Sequence, residues 1–302
     1  MNFTINRLYE MDFRIFFTLT SIAFSSIISL GYADSSNDVS QMVQQNNFRV
    51  QGQSQGAGTP NAVGVGGFFP FHTTTNSTMY LDLLINVNLS DFDGPGREKS
   101  SIINTDVSGP SLSISSRLGY RWLSDGGSWM YGVNAGYDTR RLNSGGTDTA
   151  VAASNKNNVT FQQVAFGFEA ISESWGFNAY SLLHVGEYEK QLNSAYQGGV
   201  LNTYGLDLSR NLTSKIKASA GIYHQENNLE HIDGTGYRAS LNYDVGNGYE
   251  VNWTLSDDKG YDTRGVLSLR YLFGSKPKTS SIAKAFNAAP ENRDVRVHDG
   301  VR

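Results

Sequence analysis

Seven side chains near the C-terminal third have the types that hydrolytic chemistry uses: His224, Glu226, His231 and Asp233, followed by Asp257, Asp258 and Asp262. An imidazole facing a carboxylate can take a proton from water and make it a nucleophile. The residues fall in two polar stretches where solvated His and Asp are ordinary, so their types alone do not make a site. The histidines at 72, 184, 224, 231 and 298 are scattered and give no metal-ligand spacing. Gly64-Val65-Gly66-Gly67 does not follow a strand and open a helix, as a phosphate-binding loop must. The chain has no cysteine, which excludes thiolate catalysis, disulfides and cysteine-bound metal. The expectation is therefore no catalytic residue, no cofactor and no metal.

The elements that position these loops are legible from a period of two. In Met79-Tyr80-Leu81-Asp82-Leu83-Leu84-Ile85-Asn86-Val87-Asn88-Leu89 the odd positions are all apolar, and the even ones are Tyr, Asp, Leu, Asn and Asn. Similar segments run near 77 to 89, 110 to 123, 128 to 138, 159 to 171, 174 to 186, 199 to 210, 214 to 224, 235 to 245, 248 to 257 and 263 to 273. Their apolar face carries no charge except Arg210 and Asp257 at segment ends. The links alternate. Short turns at Ser124-Asp125-Gly126-Gly127, Ser172-Glu173, Asn211-Leu212-Thr213 and Gly246-Asn247 are separated by long polar loops at 90–109, 139–158, 187–198 and 225–234, and a medium one at 258–262. Short turns at one end and long loops at the other belong to up-and-down transmembrane barrels, with the short end periplasmic. The fold class expected is an all-β antiparallel barrel of twelve strands, or of ten if the poorly alternating stretch at 48–71 is not an opening hairpin.

Aromatic placement agrees. Trp122, Trp129, Trp175 and Trp253 all fall on the uncharged face, joined near the short-turn rim by Tyr120, Tyr131, Phe177, Tyr243, Tyr249, Tyr271 and Phe273. Rings with one apolar and one polar edge collect at headgroup depth, which makes this row a membrane girdle. The opposite face is the lumen. It carries Arg117, Arg121, Asn134, Asp138, Glu169, Asn178, Asp207 and Arg270, together with Asp82, Asn86, His184, Lys215, Lys217, Arg238, Asn242, Asp244, Glu250 and Arg264. Both signs interleave, so cross-strand pairing is expected rather than a selective ring. A net charge of −4 points to no nucleic-acid partner. Ile15 to Leu30 is an apolar run ending at Gly31-Tyr32-Ala33, the pattern of an export signal cleaved after Ala33, with Met11 as an alternative start. Residues 34–76 form a polar N-terminal segment, 77–273 the barrel, and 274–302 a C-terminal tail.

Several strands also carry a resemblance. Trp129-Met130-Tyr131-Gly132-Val133-Asn134-Ala135-Gly136-Tyr137-Asp138 is similar to the G-x-N-x-F/Y-x-D strand of inverse autotransporter barrels, the intimin and invasin family, with one extra residue between the Asn and the aromatic-Asp end. Gly167-Phe168-Glu169-Ala170 followed by Trp175-Gly176-Phe177-Asn178-Ala179-Tyr180 resembles that family's G-x-E and N-x-Y hairpin. Leu118-Gly119-Tyr120-Arg121, Tyr204-Gly205-Leu206-Asp207 and the closing Leu269-Arg270-Tyr271-Leu272-Phe273 follow in the family's order, so the likeness spans 77–273. The resemblance implies twelve strands in the outer membrane, insertion by the barrel-assembly machinery with Phe273 as the terminal signal, and a C-terminal segment threaded through the pore. It also implies that Asn134, Asp138, Glu169, Asn178 and Asp207 form a lumenal hydrogen-bond network.

The expected function is a surface or envelope structural protein, or an adhesion-related one, without a passenger. Its partners would be outer-membrane lipid, the assembly machinery and an extracellular adhesion partner of unstated identity. A small porin-like channel is the alternative, and an omptin-type protease using the loop residues above is a remote one. Residues 274–302, fully extended at ~3.3 Å each, reach on the order of 95 Å, enough to cross a membrane. Within them Ser281 to Ala289 has helical composition before Pro290, and the basic end (Arg293, Arg296, Arg302) suits plugging or lining the lumen.

Overall fold

The structure, a computed structural model, describes residues 38–43, 47–91, 101–148, 154–227, 229, 232–273 and 280–301. The expected signal peptide, the alternative start at Met11, and His231 lie outside the described residues. In chain order the elements are α1 (Val39–Met42), β1 (Asn47–Gln53), β2 (Ala62–Thr73), β3 (Ser77–Asn88), β4 (Thr105–Ser108), β5 (Ser111–Leu123), β6 (Trp129–Asp148), β7 (Asn158–Ser172), β8 (Trp175–His184) and β9 (Glu189–Gln191). They continue with β10 (Tyr196–Val200), β11 (Asn202–Asn211), β12 (Ile216–Asn227), β13 (Ile232–Gly246), β14 (Tyr249–Asp258), β15 (Asp262–Phe273), α2 (Ser281–Asn287) and β16 (Val297–Val301).

Twelve of the strands close into one antiparallel ring, β1-β2-β3-β5-β6-β7-β8-β11-β12-β13-β14-β15, and β15 returns to β1 through Phe48↔Phe273 to Gln53↔Ser268. The weakly patterned stretch at 48–71 is therefore the opening hairpin, and the barrel begins at Asn47 rather than Ser77. Its alternation is poor because β2 places glycine at 64 and 66 on the lumenal side, where other strands carry polar groups. Closure pairs the backbone around the ring, as lipid requires of any spanning sheet. β6 also runs past the expected end at Asp138 to Asp148, and β4 pairs with this extension beyond the barrel proper. The turns follow local chemistry: Gly246, Asn247 and Gly248 all have positive φ (101°, 53° and 86°), which lets β13 and β14 join tightly.

The faces sort as the period of two dictates. Leu83, Ile85, Val87, Leu118, Phe166, Leu206, Leu241, Trp253, Leu267 and Leu269 are exposed on the outer wall, whereas Arg117, Arg121, Asp82 and Asp138 are buried inside it. A soluble barrel would invert this. Large apolar clusters occur instead at the two ends. Val39, Leu123, Met130, Ile282, Ala285 and Phe286 meet at the short-turn end, and Ile102, Val107, Leu142, Phe161, Leu192, Val200, Val295 and Val297 at the long-loop end. Each cluster contains residues from the C-terminal segment 280–301, the strap, which runs between them.

Candidate functional site: the lumen and the strap inside it

At the short-turn end α2 is held by its own N-terminus. Glu173, in the β7–β8 turn, accepts from Ser281 N at 2.8 Å and Ile282 N at 3.4 Å and also from Ser280 Oγ. Partial burial alone would raise this carboxyl, but these hydrogen bonds hold it below the ordinary glutamate range. Lys284 reaches Asp244 at 2.9 Å, Asn211 donates to Ser281 Oγ at 2.9 Å, and Asn287 donates to Met42 O at 2.7 Å. The two helices and the turn flanks thus cover this mouth.

Beyond α2 the strap is extended, and its carbonyls have no helix or sheet partner until β16. Buried carbonyls need donors, and the wall of β5, β6 and β7 supplies them. Arg121 donates to Ala288 O at 2.8 Å and Phe286 O at 3.3 Å, Arg117 to Asn292 O at 3.2 Å, Gln163 to Asp294 O at 3.4 Å and Arg140 to Val295 O at 3.2 Å. These are main-chain contacts. Side chains of the strap are read elsewhere: Arg293 pairs with Asp82 at 2.5 Å, Glu291 with Lys217 at 3.5 Å, and Arg296 with Asp258 at 2.9 Å.

The wall residues are themselves paired, which is the condition for keeping charge in an enclosed lumen. Arg117 grips Asp138 with two bonds of 2.6 and 2.8 Å, Gln163 adds a third to Asp138 at 2.9 Å, and Arg121 Nε meets Glu169 at 2.6 Å. Arg238 forms a fork on Asp207, one arm at 2.7 Å, with Asn178 at 3.4 Å from the same carboxylate. Arg49 binds Asp82 with bonds of 2.7 and 2.9 Å. Glycines make room for this lining. A Cβ at Gly119 would overlap the inward ring of Tyr80, and one at Gly205 the ring of Tyr180. Arg121 stacks over Tyr80 at 4.5 Å.

Along the β3–β8 wall the strap packs closely: two cavities beside it are each about 20 Å³, room for about one water molecule. Toward the opposite wall Glu291 and Lys217 stay 64% and 42% exposed, so that side of the lumen is open to water. Arg140, Asp294 and Val295 line one of the two cavities, Asn134, Glu169, Asn178 and Glu291 the other.

Each residue singled out from the sequence has a place in this geometry. Asn134, half-buried, packs toward Gly167 across the β6–β7 pair; the others fall into three separate groups, Arg117–Asp138–Gln163, Arg121–Glu169 and Arg238–Asp207–Asn178. Arg270 lies 3.4 Å from Glu250. Trp175, Tyr243, Tyr249 and Phe273 are exposed on the outer wall near the short turns, Trp129 is half-buried against Phe177, and Trp122 is only 9% exposed, its ring stacked on Tyr120 and tilted against Tyr131. Arg210, also outward, has its guanidinium 4.9 Å from the Trp175 ring centre. Of the loop residues, His224 and Asp233 come within 3.3 Å on an exposed rim. Asp257 accepts from Thr263, and Asp258 turns inward to Tyr223 and Arg296. Sequence reasoning did not single out Arg49, Arg140, Gln163, Glu173 or Asp299. Arg49 and Gln163 follow the parity of their strands, but Asp299 acts through backbone amides and the Asn104 side chain of a distant loop and leaves no pattern.

No protein-family model and no curated protein matches the chain. Among solved structures, a membrane protein from a study of in-meso crystallization superposes with a TM-score of 0.59 at 9% identity, covering 85% of this chain and all of that one. An outer-membrane channel from Pseudomonas putida F1 gives 0.46 at 15% identity, with 76% and 95% covered. The Pseudomonas putida toluene transporter TodX gives 0.44 at 10%, with 81% and 94% covered. The chain is an outer-membrane β-barrel of a Gram-negative-type cell. The uncharged outer wall sits in lipid, and the short turns face the periplasm.

Proposed function

We propose that this barrel is of the inverse-autotransporter type and serves at the cell surface as an envelope structural or adhesion-related protein, carrying its own C-terminal segment outward through the lumen, without enzymatic activity. One observation carries the reading: α2 sits among the short periplasmic turns, whereas β16 pairs with β10 among the long loops, so the strap crosses the membrane from inside to outside. The polar lining fits this task because an extended peptide brings backbone groups that need partners along its length. The ordered likeness of the strands around Asn134, Asp138, Glu169, Asn178 and Asp207 to that family supports it.

A porin-like channel on the same barrel is the rival, and the strap lodged through the lumen from one mouth to the other favours the strap reading. Purified full-length protein in planar bilayers is expected to conduct near baseline, and deletion of residues 280–302 to open a large, steady current. A large current in the full chain that the deletion leaves unchanged would make the protein a channel and refute the strap as a plug.

A further inference from the structure

The long-loop end treats the strap differently from the lumen. Inside, the wall holds mainly carbonyls. At the surface end Val295 and Val297, at 3% and 0% exposure, enter an apolar cluster with Ile102 and Val107 from the β3–β5 connection, Leu142 and Phe161 from the barrel rim, and Leu192 and Val200 from the β8–β11 connection. β16 pairs in register with β10, from Tyr196↔Val301 to Val200↔Val297. The Asp299 carboxylate, fully buried, accepts from three successive backbone amides of the β3–β5 connection: Ile103 at 3.0 Å, Asn104 at 2.9 Å and Thr105 at 2.7 Å. Arg296 donates to Ala57 O at 2.9 Å and pairs with Asp258, and Tyr261 donates to Val297 O at 2.7 Å. Residues 295–301 therefore tie together four connections that are far apart in sequence: β1–β2, β3–β5, β8–β11 and β14–β15.

We propose that these surface loops form a capture site for the chain's own residues 295–301, reading Val295, Val297 and Asp299, and that docking there makes passage of the strap one-way while ordering the loops around it. The inference rests on the outward-threading reading above. The physical reason is location. Every partner of Val297 and Asp299 lies on the far side of the membrane from the short turns, so the free energy of docking is released only after the segment has crossed. The carbonyl contacts are of similar kind all along the lumen, and the side-chain pairs Arg293–Asp82 and Glu291–Lys217 lie within it, so neither gives a stop on the far side of the membrane. The burial of two valines and one specifically held carboxylate supplies that point. The loops gain in turn, because one edge of β10 and the amides of 103–105 take their hydrogen-bond partners from the strap.

The test uses the full chain with an epitope tag after Arg302, expressed in cells that have an outer membrane. Antibody labelling is compared on intact and permeabilised cells, and trypsin cleavage after Lys190 reports loop order. Wild type is expected to label equally in both states and to resist cleavage. Asp299→Ala and Val297→Asp are expected to cut intact-cell labelling at least threefold, to raise cleavage after Lys190 several-fold, and to keep the heat-modifiable folded-barrel band. Asp125→Asn, in the exposed short turn between β5 and β6, is the control that stays at wild type. If Val297→Asp fails to fold, Asp299→Ala carries the same comparison, since it leaves no buried charge. A wild-type tag hidden on intact cells removes the outward-threading reading itself. A wild-type tag that is exposed, with both variants equally exposed or equally resistant to trypsin, overturns the capture site alone.

Discussion

Asp82→Asn tests whether lumenal charge pairing holds the barrel and the strap together. Asp82 is fully buried on β3. Its two oxygens receive the Arg49 fork from β1, two strands away, at 2.7 and 2.9 Å, and Arg293 from the strap at 2.5 Å. Arg49 reaches it by lying across Gly66 of β2, where a side chain would collide with the guanidinium. Neutralising this one carboxyl leaves two buried cations facing a neutral amide. Breaking a buried pair costs about 3–5 kcal/mol, and a partly hydrated lumen places the expected loss near the lower figure. Urea unfolding in lipid vesicles, followed by the shift of the folded band on unheated gels, should read a loss of about 3 kcal/mol, roughly two decades in the equilibrium. Adding Arg293→Gln removes one stranded cation and should restore about 1–2 kcal/mol, a coupling that independent sites would not show. A loss below about 0.5 kcal/mol for Asp82→Asn, the range of an ordinary surface change, would refute the argument that this carboxylate is the shared anchor.

Gly119→Val should cost about 1–3 kcal/mol by driving a side chain into the Tyr80 ring, and Tyr80→Leu in the same chain should recover most of it; no recovery would separate the glycine from the ring. Leu267→Arg, on an outer position 48% exposed, should lose about 2–4 kcal/mol in bilayers, and a neutral result would mean that this face does not meet hydrocarbon. Arg140→Met removes the donor to Val295 O and Gly58 O and should cost about 1–3 kcal/mol, seen as faster hydrogen exchange at the 295–301 amides; unchanged exchange would show that the wall does not hold the strap there. Glu173 is held below its ordinary range, so its contribution is present above the unfolded carboxyl's value and is lost as pH falls through the folded one. Protection of the 281–287 amides relative to their intrinsic exchange should therefore fall as pH drops through the folded carboxyl's range, and Glu173→Gln should abolish that fall; a variant that keeps it would place the titration elsewhere.

The strands and the outward face were legible because both follow from one short-range rule. A residue's side of the sheet depends only on its parity, so the apolar outer wall of Leu83, Ile85 and Leu267 and the polar lining of Arg117 and Asp138 follow from counting. The first hairpin was ambiguous for a reason the structure supplies: Gly64 and Gly66 occupy inner positions to admit Asn86 and Arg49, and a glycine carries no polarity to count. The extension of β6, the strand β4 and the surface sheet of β9, β10 and β16 had no such signal. Their pairing is set by residues brought together from 101–108, 187–201 and 297–301, and no local period records a partner two hundred positions away. Pairings within the lumen lay between. Arg238 and Asp207 could be placed inside, but which cation meets which carboxylate depends on strand neighbourhood.

The division of this lumen into a polar middle and two apolar ends follows from what it encloses. A barrel whose interior were apolar throughout would bury the strap's carbonyls from 288 to 295 without donors, at a cost of about 1–3 kcal/mol for each. A polar interior throughout would satisfy them equally in any register and fix none. Arginines paired with Asp138 and Glu169 solve the first problem, since a guanidinium has donors left for a carbonyl after its fork is used. The clusters around Phe286 and Val297 solve the second, because side-chain burial at both mouths distinguishes one register from its neighbours. A shift of the strap by one residue would turn Val297 and Asp299 away from their partners together, so both mouths and the Asp82–Arg293 pair must be satisfied in the same register. That shared requirement predicts coupling across the membrane: Val297→Ser at the surface should accelerate exchange at α2 amides, and its absence would mean that the two ends are held independently.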